Sequence, residues 1–234
     1  MSLRVGVIQS VYAPWRGYFD LMADVDVFVL YDDVQYSKNS WRNRNRLKTA
    51  EGLVWMTVPV KGSLSQTIDE VAIDGGAWVS QHRALIQRAL GNAPYFADAV
   101  RLFESATSGD LPEKLSDLNR RLIVLLCEYL GVKTPIESPR SYSPQGRSTE
   151  RLVDLLSRMG ATSYVSGPSG QDYIDPKLFA DAGIQLEYKT YDYAPYSQLW
   201  GPFEGGVSVL DLIANEGPGA SGFLKSMTPN LRVV

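Results

Sequence analysis

The stretch Arg4–Lys48, RVGVIQSVYAPWRGYFDLMADVDVFVLYDDVQYSKNSWRNRNRLK, decides how the chain is read. Its first apolar run, Val5 to Ile8, is short and β-branched and stops on Gln9, the pattern of a buried strand. A loop holding Tyr12, Pro14, Trp15 and Arg16 follows, and Gly17 to Ala23 reads as a short helix with Tyr18, Leu21 and Met22 near one face. A second apolar run, Val25 to Leu30, ends on Tyr31, Asp32 and Asp33. Strand, helix, strand in this order predicts parallel pairing through a right-handed crossover. Strands that stop abruptly at polar side chains place a site at their carboxyl ends.

Outward from this stretch the pattern stays α/β. Leu53 to Val60 is a third apolar run, with Pro59 marking a sheet edge or a strand end. Ser65 to Ile73 carries a weaker strand pattern. Helical spacing then covers Trp78–Leu90, Tyr95–Ser105 and Leu115–Leu130, closed by Gly131. This helical middle, residues 76–131, reads as a cap over the α/β layer or an insertion into it. After a Pro-, Ser- and Tyr-rich linker come a helix over Arg151–Met159, a strand over 161–165, a helix over Tyr173–Ala182 and a strand over Ile184–Tyr188. A short helix spans Val207–Ala214, and the Gly-, Pro- and Ser-rich segment from Gly217 either loops back or frays. The expectation is one α/β domain over 1–234, a mostly parallel sheet flanked by helices.

Composition narrows the function classes. With 44% hydrophobic and 21% charged residues, the 234-residue chain can fill a core. A net charge of −3 supplies no global field toward nucleic acid or membrane. The lone cysteine, Cys127, excludes an internal disulfide, and its apolar run Leu122–Leu130 suits a buried thiol in a reducing compartment. No apolar run reaches the roughly 18 residues of a membrane span, and no leader pattern opens the sequence. The expected setting is the cytoplasm, with no membrane span.

Trp41 to Lys48 crowds four cations and two amides into eight positions. In a strand, Arg42, Arg44 and Arg46 share one face and Asn43 and Asn45 the other. Guanidinium forks match phosphate or carboxylate oxygens. A solvated turn with internal ion pairs to Asp32 and Asp33 is the competing reading, and nucleic-acid contact is a third that a short patch on an acidic chain disfavours. Asp32 and Asp33, just past a strand end, suit a metal ligand, a ribose hydroxyl acceptor or a general base. His82 is the one histidine and the natural proton acceptor near neutral pH, unless it is an ordinary helix-face residue. Ser166-Gly167-Pro168-Ser169-Gly170 follows a strand and precedes a helix, where backbone donors can cradle an anion, yet it is neither a P-loop nor a dinucleotide fingerprint. No histidine or cysteine cluster supports a metal.

The chain resembles the WbqC-like protein family. The segments that carry the resemblance are IQSVYAPWRGYFD (Ile8–Asp20), DVFVLYDDVQYSKNSWRNRNRLK (Asp26–Lys48), TVPV (Thr57–Val60), APYF (Ala93–Phe96), YVSGPSGQDYID (Tyr164–Asp175) and QLWGPF (Gln198–Phe203), together with His82. Two positions depart from the family pattern, which more often has histidine where this chain has Ile8 and proline where it has Ser10. The family is bacterial and associated with surface-polysaccharide and nucleotide-sugar genes. The resemblance implies an enzyme or an accessory protein that tailors activated or lipid-linked sugars; the expectation is a transferase acting on a nucleotide-linked amino sugar, delivering an acyl or aminoacyl group from an activated donor. On this expectation His82 and Asp33 are catalytic. Gln9, Tyr12, Trp15, Gln35, Lys38 and Trp41 bind substrate, as do Asn43, Arg44, Asn45, Lys48, Ser166, Gly167 and Tyr173. A non-catalytic nucleotide-sugar or glycan-intermediate binder and an ATP-dependent ligase are the alternatives.

Overall fold

The structure is a computed structural model that describes residues 2–62 and 64–233. β1 (Arg4–Ile8) leads through α1 (Arg16–Ala23) into β2 (Val27–Leu30). A hairpin of β3 (Arg44–Thr49) and β4 (Gly52–Thr57) follows, then the short pair β5 (Val60–Lys61) and β6 (Ala72–Ile73). Three helices come next: α2 (Trp78–Leu90), α3 (Phe96–Thr107) and α4 (Leu115–Leu130). The chain then runs through β7 (Ile136–Glu137), α5 (Ser148–Met159), β8 (Ser163–Ser166), α6 (Pro176–Asp181) and β9 (Gln185–Tyr188). It ends with α7 (Val209–Glu216) and β10 (Leu231–Val233).

One sheet has the order β10-β9-β8-β1-β2-β7, and β3-β4 and β5-β6 form two separate ribbons. β1 pairs in parallel with β2 and β8, as do β2 with β7 and β8 with β9. β10 pairs antiparallel with β9, and both ribbons are antiparallel. The fold is therefore mixed α/β with helix-flanked sheets, and its pairings mix the two senses where a mostly parallel arrangement was expected. The difference arises outside the crossovers: a hairpin turn can join only antiparallel strands.

Alternation along the strands sorts the core into two layers. Phe28 and Leu30 join a buried cluster with Leu21 of α1, Ile86 of α2, Phe103 of α3, Leu122 of α4 and Leu210 of α7. Val5, Val7 and Val29 point the other way, into a cluster with Leu155 of α5 and Phe179 of α6. The helical middle thus shares one core with a sheet face. α4 buries Leu115, Leu118, Leu122 and Leu126 along one stripe and ends on Gly131, whose φ of 72° suits glycine.

Two expected elements come out differently. Ser65–Ile73 holds a 3₁₀ turn over Ile68–Glu70, closed by a Thr67–Glu70 capping box, and keeps only Ala72–Ile73 as strand. Of its two alternatives, the segment from Gly217 loops back, and does so with regular structure that was not expected, a 3₁₀ turn to Phe223 and the strand β10. Asn230 anchors that return by donating to Asp24 at 2.8 Å.

The strand order places the site. The chain leaves β1 for β2 and β7 on one side and returns to β8 and β9 on the other, with the following helices on opposite faces. In open α/β sheets such a switch point leaves a crevice at the carboxyl ends of the strands.

Candidate functional site at the carboxyl ends of the strands

A cavity of about 1000 Å³ opens at this switch point. Its floor is Ile8 and Gln9 at the end of β1, Tyr31 after β2, and Ser166 and Gly167 at the end of β8. Trp41, Arg42, Asn45 and Arg46 close it from the hairpin side, Ser148 and Thr149 of α5 from across, and Tyr191 and Gly206 from the C-terminal loop. Among the described residues no carboxylate and no imidazole lines it.

The hairpin explains where its cations go. Asn45 and Leu47 alternate inward and are buried, so Arg44, Arg46 and Lys48 share the outer face. Arg44 stacks over Trp55 at 4.3 Å, and Arg46 lies 5.5 Å from both Trp41 and Trp55 while donating to the Gly206 carbonyl at 3.0 Å. Lys48 is buried and donates to Gln198 Oε1 at 2.9 Å and to the Gly201 and Pro202 carbonyls, which ties the loop to the hairpin.

Arg42 differs from all three. It precedes β3 and lines the cavity, and among the described residues its guanidinium makes no hydrogen bond, whereas Arg44 donates to the Asn39 carbonyl and Arg46 to that of Gly206; a buried Nε without a partner is common to all three arginines. Burial pushes its pKa down, while Tyr18, Asp32 and Tyr173 favour the cation. Its backbone is held from below: Asn119 of α4 donates to the Arg42 carbonyl at 2.9 Å and to Ser10 Oγ at 3.0 Å. The Ser10 amide in turn donates to Asp32 Oδ1 at 2.7 Å. Burial pushes the Asp32 pKa up, against the Ser10 bond that lowers it.

Outside the lining, next to Tyr31, Asp33 takes a two-pronged bond from Arg151 of α5, at 2.7 and 3.3 Å. Arg151 also donates to Tyr31 Oη at 2.6 Å. The third wall is aromatic. Trp15 meets Tyr191 edge-on, ring centroids 4.6 Å apart, and Tyr193 at 5.7 Å. Gly167 lets this wall close in, since a Cβ there would come within 3.1 Å of Tyr191 Oη.

The model of the WbqC-like protein family matches residues 9–222. The chain belongs to the WbqC-like protein family. It is 44% identical over 225 residues to "Uncharacterized protein Rv1507c" of Mycobacterium tuberculosis (strain ATCC 25618 / H37Rv), covering 95% of this chain and 97% of that protein. No solved structure matches it.

Of the two departures from the expected WbqC-like pattern, Ile8 lines the cavity and Ser10 is buried outside its lining. Ile8 puts an aliphatic side chain against the cavity, and Ser10 supplies the amide that Asp32 accepts. Of the residues expected to bind substrate, Gln9, Trp15, Trp41, Asn45, Ser166, Gly167 and Tyr173 line this WbqC-like cavity. Asn45 also holds the preceding loop, donating to the Tyr12 and Ala13 carbonyls at 3.2 and 2.8 Å, where Ala13 has a φ of 43°. The others have different work. Tyr12 is fully buried, Gln35 donates to the Leu64 carbonyl, Lys38 is exposed, and Asn43 donates to the Val58 carbonyl. Arg44 and Lys48 are engaged as described.

The expected catalytic pair does not form. His82 is buried between Tyr12, Trp78 and Phe103, with Nδ1 2.9 Å from Tyr12 Oη and a second bond to the Thr57 backbone. Burial holds its pKa down at about 4, so it is neutral at neutral pH. Asp33 is occupied by Arg151 rather than by His82 or the hairpin arginines. Sequence reasoning passed over Arg151 and Tyr31. Tyr31 carried the same signal as Gln9, a polar side chain at a strand end. Asn119 was visible as an amide beside the leucine stripe of α4.

Proposed function

We propose that the cavity binds a nucleotide-linked sugar and that the protein tailors it as a transferase, by acyl or aminoacyl transfer to a sugar amine. One observation carries the reading: Arg42 faces a cavity that no carboxylate lines, and among the described residues its guanidinium makes no hydrogen bond and no ion pair, Asp32 acting on it only at longer range. Such a group seeks a phosphate or carboxylate oxygen. The Trp15–Tyr191 wall suits the flat face of a base or sugar, and the family's association with nucleotide-sugar genes agrees. With an amine nucleophile and an activated donor, the protein's contribution is to align the two and to stabilise charge on the acyl oxygen. We place this work in the cytoplasm, where activated donors and a reduced Cys127 coexist.

A second reading, binding without turnover, is favoured by the same lining: among the described residues it holds no carboxylate or imidazole to move a proton. Calorimetric titration with uridine and thymidine diphosphate sugars, acyl-coenzyme A and ATP separates the readings. Nucleotide sugars bind the wild type, and Arg42→Ala abolishes binding with the melting temperature unchanged. Mass spectrometry after adding acyl donors then detects the acylated sugar, or its absence, which favours the second reading. Binding of magnesium-ATP alone would discard both.

A further inference from the structure

The Asp33–Arg151–Tyr31 chain has a directional consequence. A guanidinium has donors and no acceptor, so where Arg151 meets Tyr31 Oη the phenol oxygen must accept. The phenol's own proton is thereby turned away from Arg151. Asp33 fixes the guanidinium through both its oxygens, which leaves the fork one orientation. Arg151 also lies against the Tyr31 ring, 5.0 Å from its centroid. Among the described residues the Tyr31 hydroxyl donates no hydrogen bond that would satisfy this proton, yet Tyr31 lines the cavity. Arg42 and Tyr31 both line the same cavity.

We infer that Tyr31 is the directed hydrogen-bond donor of the cavity, reading a phosphoryl oxygen of the bound molecule beside Arg42. Arg151 and Asp33 are the positioning residues that aim it. The inference rests on the nucleotide-sugar reading for its ligand, and assigns Asp33 a role through Arg151 rather than as a base. A phenol that accepts from a cation is a stronger donor on its other side, and a phosphoryl oxygen is an acceptor with no proton to give.

The test uses the full chain, with uridine diphosphate glucose, inorganic pyrophosphate and glucose as calorimetric probes. Tyr31→Phe weakens the first two by about tenfold, the loss of one bond to a charged acceptor, and leaves glucose unchanged. Asp33→Asn weakens them by about threefold, since the fork is loosened and not removed. Arg151→Lys retains more affinity than Arg151→Gln. A second measurement needs no ligand. In protein carrying ¹³Cζ-tyrosine, with the Tyr31 signal assigned by Tyr31→Phe, the phenol titrates at higher pH in Arg151→Gln than in the wild type. The groups facing it are Arg151, Asp33 and Tyr164, and only the first favours the phenolate. Arg151→Lys gives an intermediate value and serves if the glutamine variant does not fold. Wild type that binds both phosphate probes while Tyr31→Phe binds pyrophosphate equally well overturns the donor role alone. Wild type that binds neither, with the Tyr31 titration moved as expected, overturns the nucleotide-sugar reading and keeps the donor geometry. A Tyr31 titration unmoved by loss of Arg151 overturns that geometry.

Discussion

His82→Gln should change how stability depends on pH, and the size of the change follows from the burial of the ring. His82 is 5% exposed, wedged between Tyr12, Trp78 and Phe103, and its pKa is lowered from 6.5 to about 4. The unfolded chain therefore binds a proton below about pH 6.5 that the folded chain refuses until about pH 4. The stabilisation from keeping the ring neutral is fully present above the unfolded value and is lost as pH falls through that window. At pH 5 the protonated unfolded chain has gained about 2 kcal/mol over the folded one, since each pH unit below 6.5 favours it by about 1.4 kcal/mol. For a chain of this length that is a fall in melting temperature of roughly 4–8 °C. Asp32 and Asp211 are raised by burial and act in the opposite sense, so the wild type alone cannot isolate the histidine's contribution. Glutamine keeps an amide for the Tyr12 hydroxyl and does not titrate. Urea unfolding at pH 7.5 and pH 5 in both proteins measures the difference. The wild type should lose about 2 kcal/mol more than the variant over that interval. Parallel pH profiles would refute the buried neutral imidazole and reopen His82 as a proton acceptor.

Three further outcomes follow from the hydrogen-bonding around the cavity. Lys48→Met leaves Gln198 Oε1 and two loop carbonyls without their shared donor; stability should fall by about 1–3 kcal/mol, with new protease cleavage between residues 198 and 206, and an unchanged digestion pattern would count against the tie. Asn119→Leu removes the donor to Ser10 and to the Arg42 carbonyl; pyrophosphate affinity should drop along with melting temperature, and retained affinity in a folded variant would show that Arg42 is held by other means. Ser10→Pro, the residue more usual in the family, deletes the amide that Asp32 accepts at 2.7 Å; urea unfolding at pH 7.5 should show a loss of about 2–3 kcal/mol, the range for a buried bond to a charged group, and wild-type stability would mean that Asp32 finds another donor.

What the sequence could and could not reveal divides along a physical line. Period-two and period-3.6 patterns are properties of the chain itself, so β1, β2 and the helix over Leu115–Leu130 were legible. The alternation of Arg42, Arg44 and Arg46 was equally legible as a face, and it misled by one step. The strand begins at Arg44, so Arg42 leaves the face and turns to the cavity, while Lys48 joins Arg44 and Arg46 on it. What covers a face is decided by distant segments: Trp55 from β4 and the 198–206 loop engage three of the four cations. Likewise His82 was chosen for its ordinary pKa, but Tyr12 and Phe103, seventy residues before it and twenty-one after, set the burial that moves it. Side-chain chemistry is local and partner choice is not. In a charge-rich segment the cation that matters for a ligand is the one the fold leaves unpaired. Here that criterion selects Arg42 out of Arg42, Arg44, Arg46 and Lys48, and it is why substituting Arg42 should empty the cavity while substituting Lys48 should loosen its wall.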